Sequence, residues 1–196
     1  MKKVKIFSAI AAIVILMLSI FIYSNRGNFV YVGSINLIDV NCEEKGQILS
    51  EVHESDQRIR KEKDFLKHAK EDHKNQELVI SIIEKCGMPT LNEVNQFEMD
   101  AIWLGLQHTN KKYRKKYFPQ IEAAVNNGDL SKEQYALMKD RILMDDGKPQ
   151  IYGSQIKNGK LYKLEDPENV NERRKEMGLG PIEEYLKFFN IEFEVN

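Results

Sequence analysis

The feature that most constrains this chain is an uncharged, apolar run near its start, from Ile6 to Tyr23. As an α-helix this run is about 27 Å long at 1.5 Å per residue, close to the ~30 Å thickness of the hydrocarbon core of a bilayer. Lys2, Lys3 and Lys5 precede it directly. The sequence therefore predicts a transmembrane helix over residues 6–23.

A cleaved secretory signal peptide is the alternative interpretation of the same run, because signal peptides also begin with basic residues. Their apolar region is shorter, however, and small residues precede the cleavage site. Here the run ends in the bulky sequence Phe21-Ile22-Tyr23, and Cys42 lacks the Leu-x-x-Cys context of a lipoprotein. These features favour an uncleaved anchor. A mature chain that starts near Asn25 would indicate a signal peptide instead.

The distribution of basic residues predicts the orientation of the anchor. Three lysines lie before the span and only Arg26 lies just after it, which is typical of a cytoplasmic N-terminus. We therefore expect residues 1–5 in the cytoplasm, a single-pass anchor over residues 6–23 in the cell membrane, and a tether over residues 24–42. Residues 43–196 would form an extracytoplasmic domain.

The charge of that outer part limits its partners. Without the three N-terminal lysines and Arg26, the chain has 25 basic and 30 acidic residues, a net charge of −5. Such a domain has no general electrostatic attraction for nucleic acid or anionic lipid. The basic run Lys111–Lys116 is a local exception that could hold a phosphate or a lipid headgroup, although a solvated helix face is the usual meaning of such a run. The membrane is thus the one macromolecular partner predicted, through the N-terminal helix, and no protein partner is identified.

Two cysteines are too few for a disulfide framework or a four-thiolate zinc site. In an oxidising compartment Cys42 and Cys86 could pair. Closing a loop of about 45 residues would stabilise the fold by about 4 kcal/mol in the chain-entropy model. The alternative is two unrelated thiols, with Cys86 acting as a small apolar residue at a helix end. Both interpretations remain open from the sequence.

Hydrophobic periodicity predicts a mainly α domain after the tether. Helices are expected from Glu43 onward, over Asp64–Lys85, after a capping-box spacing at Thr90 and Glu93, and over Lys112–Val125. They are also expected after a second capping-box spacing at Ser131 and Gln134, before Gly178, and from about Pro181. Pro119 lies inside one of these segments, or else marks its true first turn.

One segment departs from the helical period. Apolar pairs flank the dipeptide Asn158-Gly159, which suits a type I′ turn because both residues tolerate positive φ. We predict a β-hairpin over Gln150–Leu164, with its first strand, Gln150–Gln155, beside the helix that carries Asp140. The fold class is therefore mainly α: an N-terminal transmembrane helix followed by a helical domain with one β-hairpin.

Several strings of polar residues are not required by helix packing alone, and their order and spacing resemble a known family. That family consists of bacterial proteins, many exported or membrane-anchored, and is labelled only as a domain of unknown function. Its pattern runs D-Q-x-x-R, D-x-x-N, G-x-P, W followed by Q-H, D-R, and Q-x-Y-G-T-Q. The pattern falls on Asp56, Gln57, Arg60, Asp72, Asn75, Gly87, Pro89, Trp103, Gln107, His108, Asp140, Arg141, Gln150, Tyr152, Gly153 and Gln155.

The resemblance covers about Ser50 to Tyr185 and implies a shared fold, but it supplies no reaction. This chain departs from the pattern at two places. Ser154 stands where the family usually has threonine, which keeps the hydroxyl, and Asn95 stands where glycine is expected.

His108 is the best candidate for general acid–base chemistry, because imidazole titrates near neutral pH. Asp140 could orient it, and Arg141 could hold a carboxylate or phosphate through two hydrogen bonds. We expect a pocket for a small anionic ligand where these residues meet Gln150, Tyr152 and Gln155, with Trp103 among its walls. Structural roles are assigned to Asp56, Arg60, Asp72 and Asn75.

Two functional classes follow. One is a binding or structural module in which the polar residues form a buried hydrogen-bond network that docks the hairpin on the helices. The other is a hydrolase-like envelope enzyme with His108 as acid or base. The first is favoured, because no nucleophile motif, no glycine-rich phosphate loop and no H-E-x-x-H or C-x-x-C pattern is present. No metal site and no cofactor are predicted.

Overall fold

The structure is a computed structural model that describes residues 34–194. The predicted membrane-spanning run Ile6–Tyr23 lies outside these residues, as does most of the predicted tether. Within residues 34–194, no helix is both long enough and apolar enough to cross a membrane. The described range contains the whole of the predicted helical domain except its last two residues.

This part of the chain is mainly helical and carries one small antiparallel hairpin, as the hydrophobic period predicts. Its helices are α1 (Lys45–Ile59), α2 (Phe65–Cys86), α3 (Gln96–His108), α4 (Lys111–Asn127), α5 (Lys132–Asp145), α6 (Val170–Glu176) and α7 (Ile182–Lys187). Short 3-10 helices lie at Cys42–Glu44 and Pro167–Asn169, and the hairpin consists of β1 (Ile156–Lys157) and β2 (Lys160–Leu161).

Side-chain caps fix where several helices begin. Ser131 and Gln134 form the predicted capping box before α5, each side chain accepting a hydrogen bond from the other's backbone N–H. The other predicted box is wrong, because Thr90 and Glu93 lie in a turn and α3 begins only at Gln96. A second capping-box spacing follows two residues later. Asn95 and Glu98 form both reciprocal hydrogen bonds, so the helix begins after Asn95.

Pro119 lies inside α4 and does not start it. Asn110, more than two turns before the proline, caps the helix by accepting hydrogen bonds from the N–H groups of Lys112 and Tyr113. Proline removes one backbone donor from a helix interior and crowds the preceding turn. The helix continues because Tyr117 and Ile121, on either side of the proline, are buried in the core. Tertiary packing thus outweighs the local cost.

The main core lies between the first five helices. Helices α1, α2 and α3 pack against one another, while α4 and α5 form an antiparallel pair that packs on α3 through α4. Gly105 allows the close approach of α2 and α3, since a Cβ at this position would lie 2.6 Å from Cγ2 of Val79. Fully buried side chains of this core include Leu49, Ile80, Ile82, Met99, Ile102, Leu106, Ile121 and Met138.

The segment before α1 lies along α2 in an irregular, extended path. Ile38 donates its N–H to Oγ of Ser81 at 2.8 Å, and Val40 is buried in the core. The segment ends at a disulfide between Cys42 and Cys86, whose Cα atoms are 5.6 Å apart. The structure therefore favours pairing over two separate thiols, the alternative that the sequence left open.

The hairpin turns at the predicted dipeptide. Asn158 and Gly159 have φ values of 53° and 71°, which suits a type I′ turn, and Ile156 pairs with Leu161. The strands are only two residues long, and the prediction of a strand over Gln150–Gln155 is wrong. The backbone N–H groups of that segment bind the side chain of Asp140, so they are not available to a neighbouring strand. We refer to residues 150–155 as the Gln150 loop.

A second, smaller core lies next to the hairpin. It consists of Val170, Ile182 and Leu186 from α6 and α7, with Ile156 and Leu164 packed against it. Phe188 and Phe189, after α7, are exposed. The last two helices therefore cover the hairpin and the Gln150 loop, and they do not enlarge the main core.

Candidate functional site

Asp140 is completely buried and supports the Gln150 loop from helix α5. Its carboxylate accepts hydrogen bonds from the N–H groups of Ile151 (2.7 Å), Tyr152 (3.0 Å) and Ser154 (3.0 Å), and from the Ser154 hydroxyl (2.9 Å). A carboxylate that receives this many donors has its lone pairs occupied by the protein itself. Asp140 thus takes the place that a neighbouring strand would otherwise have.

The two glutamines of the loop continue this network. Gln150 donates to the carbonyl oxygens of Gln155 (3.0 Å) and Tyr162 (2.8 Å), and its Oε1 accepts from the N–H of Gln155 at 2.7 Å. The Gln155 amide donates to the Ser154 hydroxyl at 2.9 Å. We call Asp140, Gln150, Ser154 and Gln155 the Asp140 cluster. Each of these side chains makes at least two hydrogen bonds.

Two residues that the sequence did not single out close the other side of the loop. Arg174 is buried and donates to the carbonyl oxygens of Tyr152 (2.7 Å) and Gly180 (2.6 Å). The hydroxyl of Tyr185 donates to the carbonyl of Ser154 at 2.7 Å. Gly153 has a φ of 69°, and a Cβ there would lie 2.4 Å from Ile182, so only glycine fits between the loop and α7.

His108 lies in a different environment, at the end of α3. Its side chain is 23% exposed, and Nε2 is 3.9 Å from Oδ1 of the buried Asp56 in α1. Asp56 forms a close ion pair with Arg60, one helical turn further along. Arg60 also reaches Oδ1 of Asp72 in α2 at 3.4 Å. Helices α1 and α2 therefore contribute charged groups around this imidazole.

Arg114 closes the end of α3 and is another residue that the sequence did not single out. It is buried, donates to the carbonyl oxygens of Gln107 (2.5 Å) and Thr109 (2.6 Å), and pairs with Asp145 at 2.9 Å. The signal in the sequence is that Arg114 is the one arginine in the basic run Lys111–Lys116. The lysines around it pair with acids at the surface, for example Lys111 with Asp146 at 2.7 Å.

Arg141 is the exception among these cations. Within residues 34–194, no residue accepts a hydrogen bond from its half-buried guanidinium or forms an ion pair with it within 4.0 Å. Burial lowers the pKa of Arg141, and the positive charges of Arg114 and Arg60 act in the same direction, whereas Asp145 opposes them. Arg114 and Arg60 have carboxylate partners, so Arg141 carries the one unmatched positive charge among the three arginines.

The same arginines act on His108. Burial, together with the positive charges of Arg60, Arg141 and Arg114, lowers the pKa of His108 to about 4, against the opposing effect of Asp56. The imidazole is therefore neutral at pH 7, with one nitrogen able to donate and the other to accept. We call Asp56, Arg60, His108, Arg114 and Arg141 the His108 cluster.

A cavity of about 260 Å³ borders His108 on the side of α2. Its polar walls include His68, Asp72, His73 and Gln76, and its apolar walls are Ile35, Phe65 and Ala69. Burial raises the pKa of Asp72, with Arg60 acting in the opposite direction. No group of three or more potential ligands is arranged to hold a metal ion within residues 34–194.

The predicted site residues thus fall into separate groups. The structure brings Asp140, Gln150 and Gln155 together, and it brings His108 near Arg141. Among the described residues, no hydrogen bond or ion pair joins His108 to Asp140. Asp56, Arg60 and Asp72, which were predicted to be structural, lie in the group around His108.

Trp103 and Asn75 make their contacts outside both groups of site residues. The indole of Trp103 donates to the carbonyl of Gln134 at 2.9 Å and so joins α3 to the start of α5. Asn75 is buried beside a second cavity, of about 450 Å³, and no residue of the described range accepts a hydrogen bond from its Nδ2. Neither side chain is among the hydrogen-bond or ion-pair partners of His108 or Asp140.

The fold and its polar clusters define a single helical domain in which a buried carboxylate supports a loop and a group of arginines surrounds a neutral histidine. The chain belongs to a family of unknown function, DUF6624, whose model matches residues 44–195. This match confirms the resemblance to a family known only as a domain of unknown function. Comparisons with curated proteins and with solved structures found no match.

Proposed function

We propose that this protein is a membrane-anchored, extracytoplasmic binding module that takes a small anion at the His108 cluster. The observation that carries the proposal is the half-buried Arg141 guanidinium, which lacks any acceptor among the described residues. Leaving a charged donor partly desolvated and unpaired costs free energy. An anion that binds there would remove this cost.

The chemistry of Arg141 indicates the class of ligand. A guanidinium has five donors, accepts no hydrogen bond and matches the two oxygens of a carboxylate or phosphate. The carboxylates of Asp56 and Asp145 form their ion pairs with Arg60 and Arg114, so they offset the charge of Arg141 only in part. A small carboxylate or a phosphate group is therefore the ligand that this cluster fits best.

His108 would make anion binding depend on pH. Its low pKa arises from burial and from neighbouring positive charges, and a bound anion would counter those charges. Binding would then raise the pKa of His108 and take up a proton. We expect the affinity for the anion to increase as the pH falls from 7 towards 5, and His108→Gln to remove most of this dependence.

The disulfide supports the predicted extracytoplasmic location. Pairs such as Cys42 and Cys86 form and persist mainly in oxidising compartments. Alkylating the free thiols of whole cells, before any reduction, tests this directly. We expect both cysteines to be protected in the membrane fraction. Alkylation of both cysteines would indicate a reducing compartment. A C-terminal reporter that is active on only one side of the membrane provides an independent test of the location.

Thermal unfolding of the full chain with inorganic phosphate or acetate, at constant ionic strength, tests the anion site. We expect the melting temperature to rise with anion concentration for the native protein and to be independent of it for Arg141→Met. The matched control is Lys112→Met, which removes one positive charge from an exposed position of α4. An equal response of Arg141→Met and the native protein would refute the site.

An envelope enzyme is the second candidate, and the neutral state of His108 favours it. A neutral imidazole beside an arginine can accept a proton from a bound substrate. In this case Asp56, and not Asp140, is the carboxylate nearest to the imidazole. If His108→Gln still binds phosphate but no longer turns over a phosphate or carboxylate ester, the protein is an enzyme. If turnover is unchanged, the binding module is the better interpretation.

A further inference from the structure

The direction in which the chain enters the domain can be read from its contacts with α2. The N–H of Asn36 donates to Glu77 at 3.0 Å, that of Ile38 donates to Ser81, and Cys42 is bonded to Cys86. Successive residues thus contact later turns of α2. The chain therefore enters from the N-terminal end of α2, where Phe65 begins the helix.

That end of α2 presents two large apolar side chains to solvent. Phe65 is 78% exposed and Leu66 is 58% exposed. Each would gain about 1.5–3 kcal/mol on complete burial in an apolar environment. Folding of this domain leaves both of them uncovered, although Asp64 fixes their position by capping the helix through the N–H groups of Leu66 and Lys67.

Basic residues surround these two side chains. The exposed lysines of the segment are Lys61, Lys63, Lys67 and Lys70. Glu62 pairs with Lys67 at 2.7 Å, and Asp64 is occupied as a helix cap. An apolar pair with cationic neighbours is the pattern of a segment that lies at the surface of a membrane. We call Lys61–Lys67 the α2 tip.

The length of chain outside the described residues permits this contact. Eleven residue steps separate Tyr23, at the end of the predicted anchor, from Ser34, and they span at most about 40 Å. Ile35 and Phe65 border the same cavity, so the described chain begins beside the α2 tip. Anchoring would hold the tip near the bilayer at an effective concentration in the millimolar range, where a weak contact suffices.

We propose that the α2 tip docks on the outer surface of the membrane that anchors the chain, with Phe65 and Leu66 among the lipid headgroups. The lysines of the tip would lie against anionic headgroups, each worth about 1 kcal/mol near such a surface. The net negative charge of the whole domain does not oppose this contact, because the charge of the tip itself is positive and screening limits distant acids. The inference rests on the anchor described under the proposed function.

Photo-crosslinking of the full chain in vesicles of phosphatidylethanolamine and phosphatidylglycerol tests the docking. The photoreactive residue p-benzoylphenylalanine replaces Phe65 in one variant and Phe188 in the matched control. Phe188 is 84% exposed and follows α7, beside Lys187. We expect several-fold more lipid crosslinking from position 65 than from position 188.

Trypsin digestion of the same vesicles provides a second measurement. We expect slow cleavage after Lys61 and Lys63 in the native protein, faster cleavage in Phe65→Asp, and no change in Phe188→Asp. Crosslinks from position 65 to residues 24–33 of the same chain would overturn the proposal, since the chain itself would then cover Phe65. Equal lipid crosslinking from positions 65 and 188 would also overturn it.

Membrane fractionation separates this failure from failure of the anchor. A chain found in the membrane fraction without lipid crosslinks at position 65 refutes only the docking of the α2 tip. A chain found in the soluble fraction refutes the anchor and the docking together. The phosphate response of Arg141 is measured independently of both.

Discussion

The two polar clusters differ in how fully the protein satisfies them, although Asp140 and Arg141 are consecutive residues of α5. Every side chain of the Asp140 cluster makes at least two hydrogen bonds within the protein. In the His108 cluster, Arg141 has no acceptor among the described residues, and His108 comes no closer than 3.9 Å to the carboxylate of Asp56.

This difference separates a structural role from a binding role. A polar network whose donors and acceptors are all used inside the protein holds a loop in place and has little left for a ligand. A cluster with an unmatched charge lowers the stability of the free protein, and a bound partner restores that stability. Substitutions in the two clusters should therefore change stability in different ways.

Asp140→Ala should have the largest effect, because three backbone N–H groups, two of them fully buried, lose their acceptor together. We expect the free energy of unfolding to fall by about 4 kcal/mol, measured by chemical denaturation at pH 7. The control is Asp146→Ala, which removes a carboxylate paired with surface lysines at the end of the same helix and should cost less than about 1 kcal/mol. Equal losses would mean that the Asp140 cluster does not support the loop.

His108→Gln should change the pH dependence of stability. The pKa of His108 is lowered from its ordinary value of 6.5 to about 4, so the unfolded chain binds the proton more readily between these values. The native protein therefore loses stability as the pH falls from 6.5 to 4, by about 3 kcal/mol at most from this group.

His108→Gln should lose less stability than the native protein over this pH range and should differ little from it near pH 8. Denaturation curves at a series of pH values measure the difference. His53→Gln serves as a control for an effect of removing any histidine. Parallel profiles for the native protein and His108→Gln would show that the imidazole titrates normally.

Gln150→Glu tests the second residue of the Asp140 cluster while keeping its shape. The carboxylate can still accept from the N–H of Gln155, but it faces the carbonyl oxygens of Gln155 and Tyr162 without a donor. We expect a loss of about 2 kcal/mol at pH 7, and a smaller loss at pH 5, where a protonated carboxyl can donate one hydrogen bond.

The matched control is Gln120→Glu, at an exposed position of α4, which should change stability by less than about 0.5 kcal/mol. A greater loss at pH 5 than at pH 7 would contradict the hydrogen-bond assignment.

Arg141→Met should have the smallest effect on the stability of the free protein. Because no described residue pairs with the guanidinium, its removal should leave the free energy of unfolding unchanged or raise it by up to about 1 kcal/mol. Chemical denaturation without added anion measures this change. A loss above about 2 kcal/mol would reveal a structural partner and would remove the contrast between the two clusters.

Local signals in the sequence determined much of the fold. Hydrophobic period and caps located the helices of the domain to within a few residues, as at Ser131 and Gln134, because a helix start depends on neighbours three or four residues away. Asn158-Gly159 located the hairpin turn for the same reason. The family resemblance also came from the sequence, since the order and spacing of short motifs are properties of the chain itself.

The tertiary structure decided which polar residues meet. Consecutive residues of a helix point about 100° apart, so Asp140 and Arg141 join different clusters according to how α5 is rotated against its neighbours. That rotation is set by the packing of buried residues such as Ala136 and Met138. The same packing places Asp56 beside His108 and Cys42 beside Cys86, because contacts between residues far apart in the chain depend on how the helices pack together.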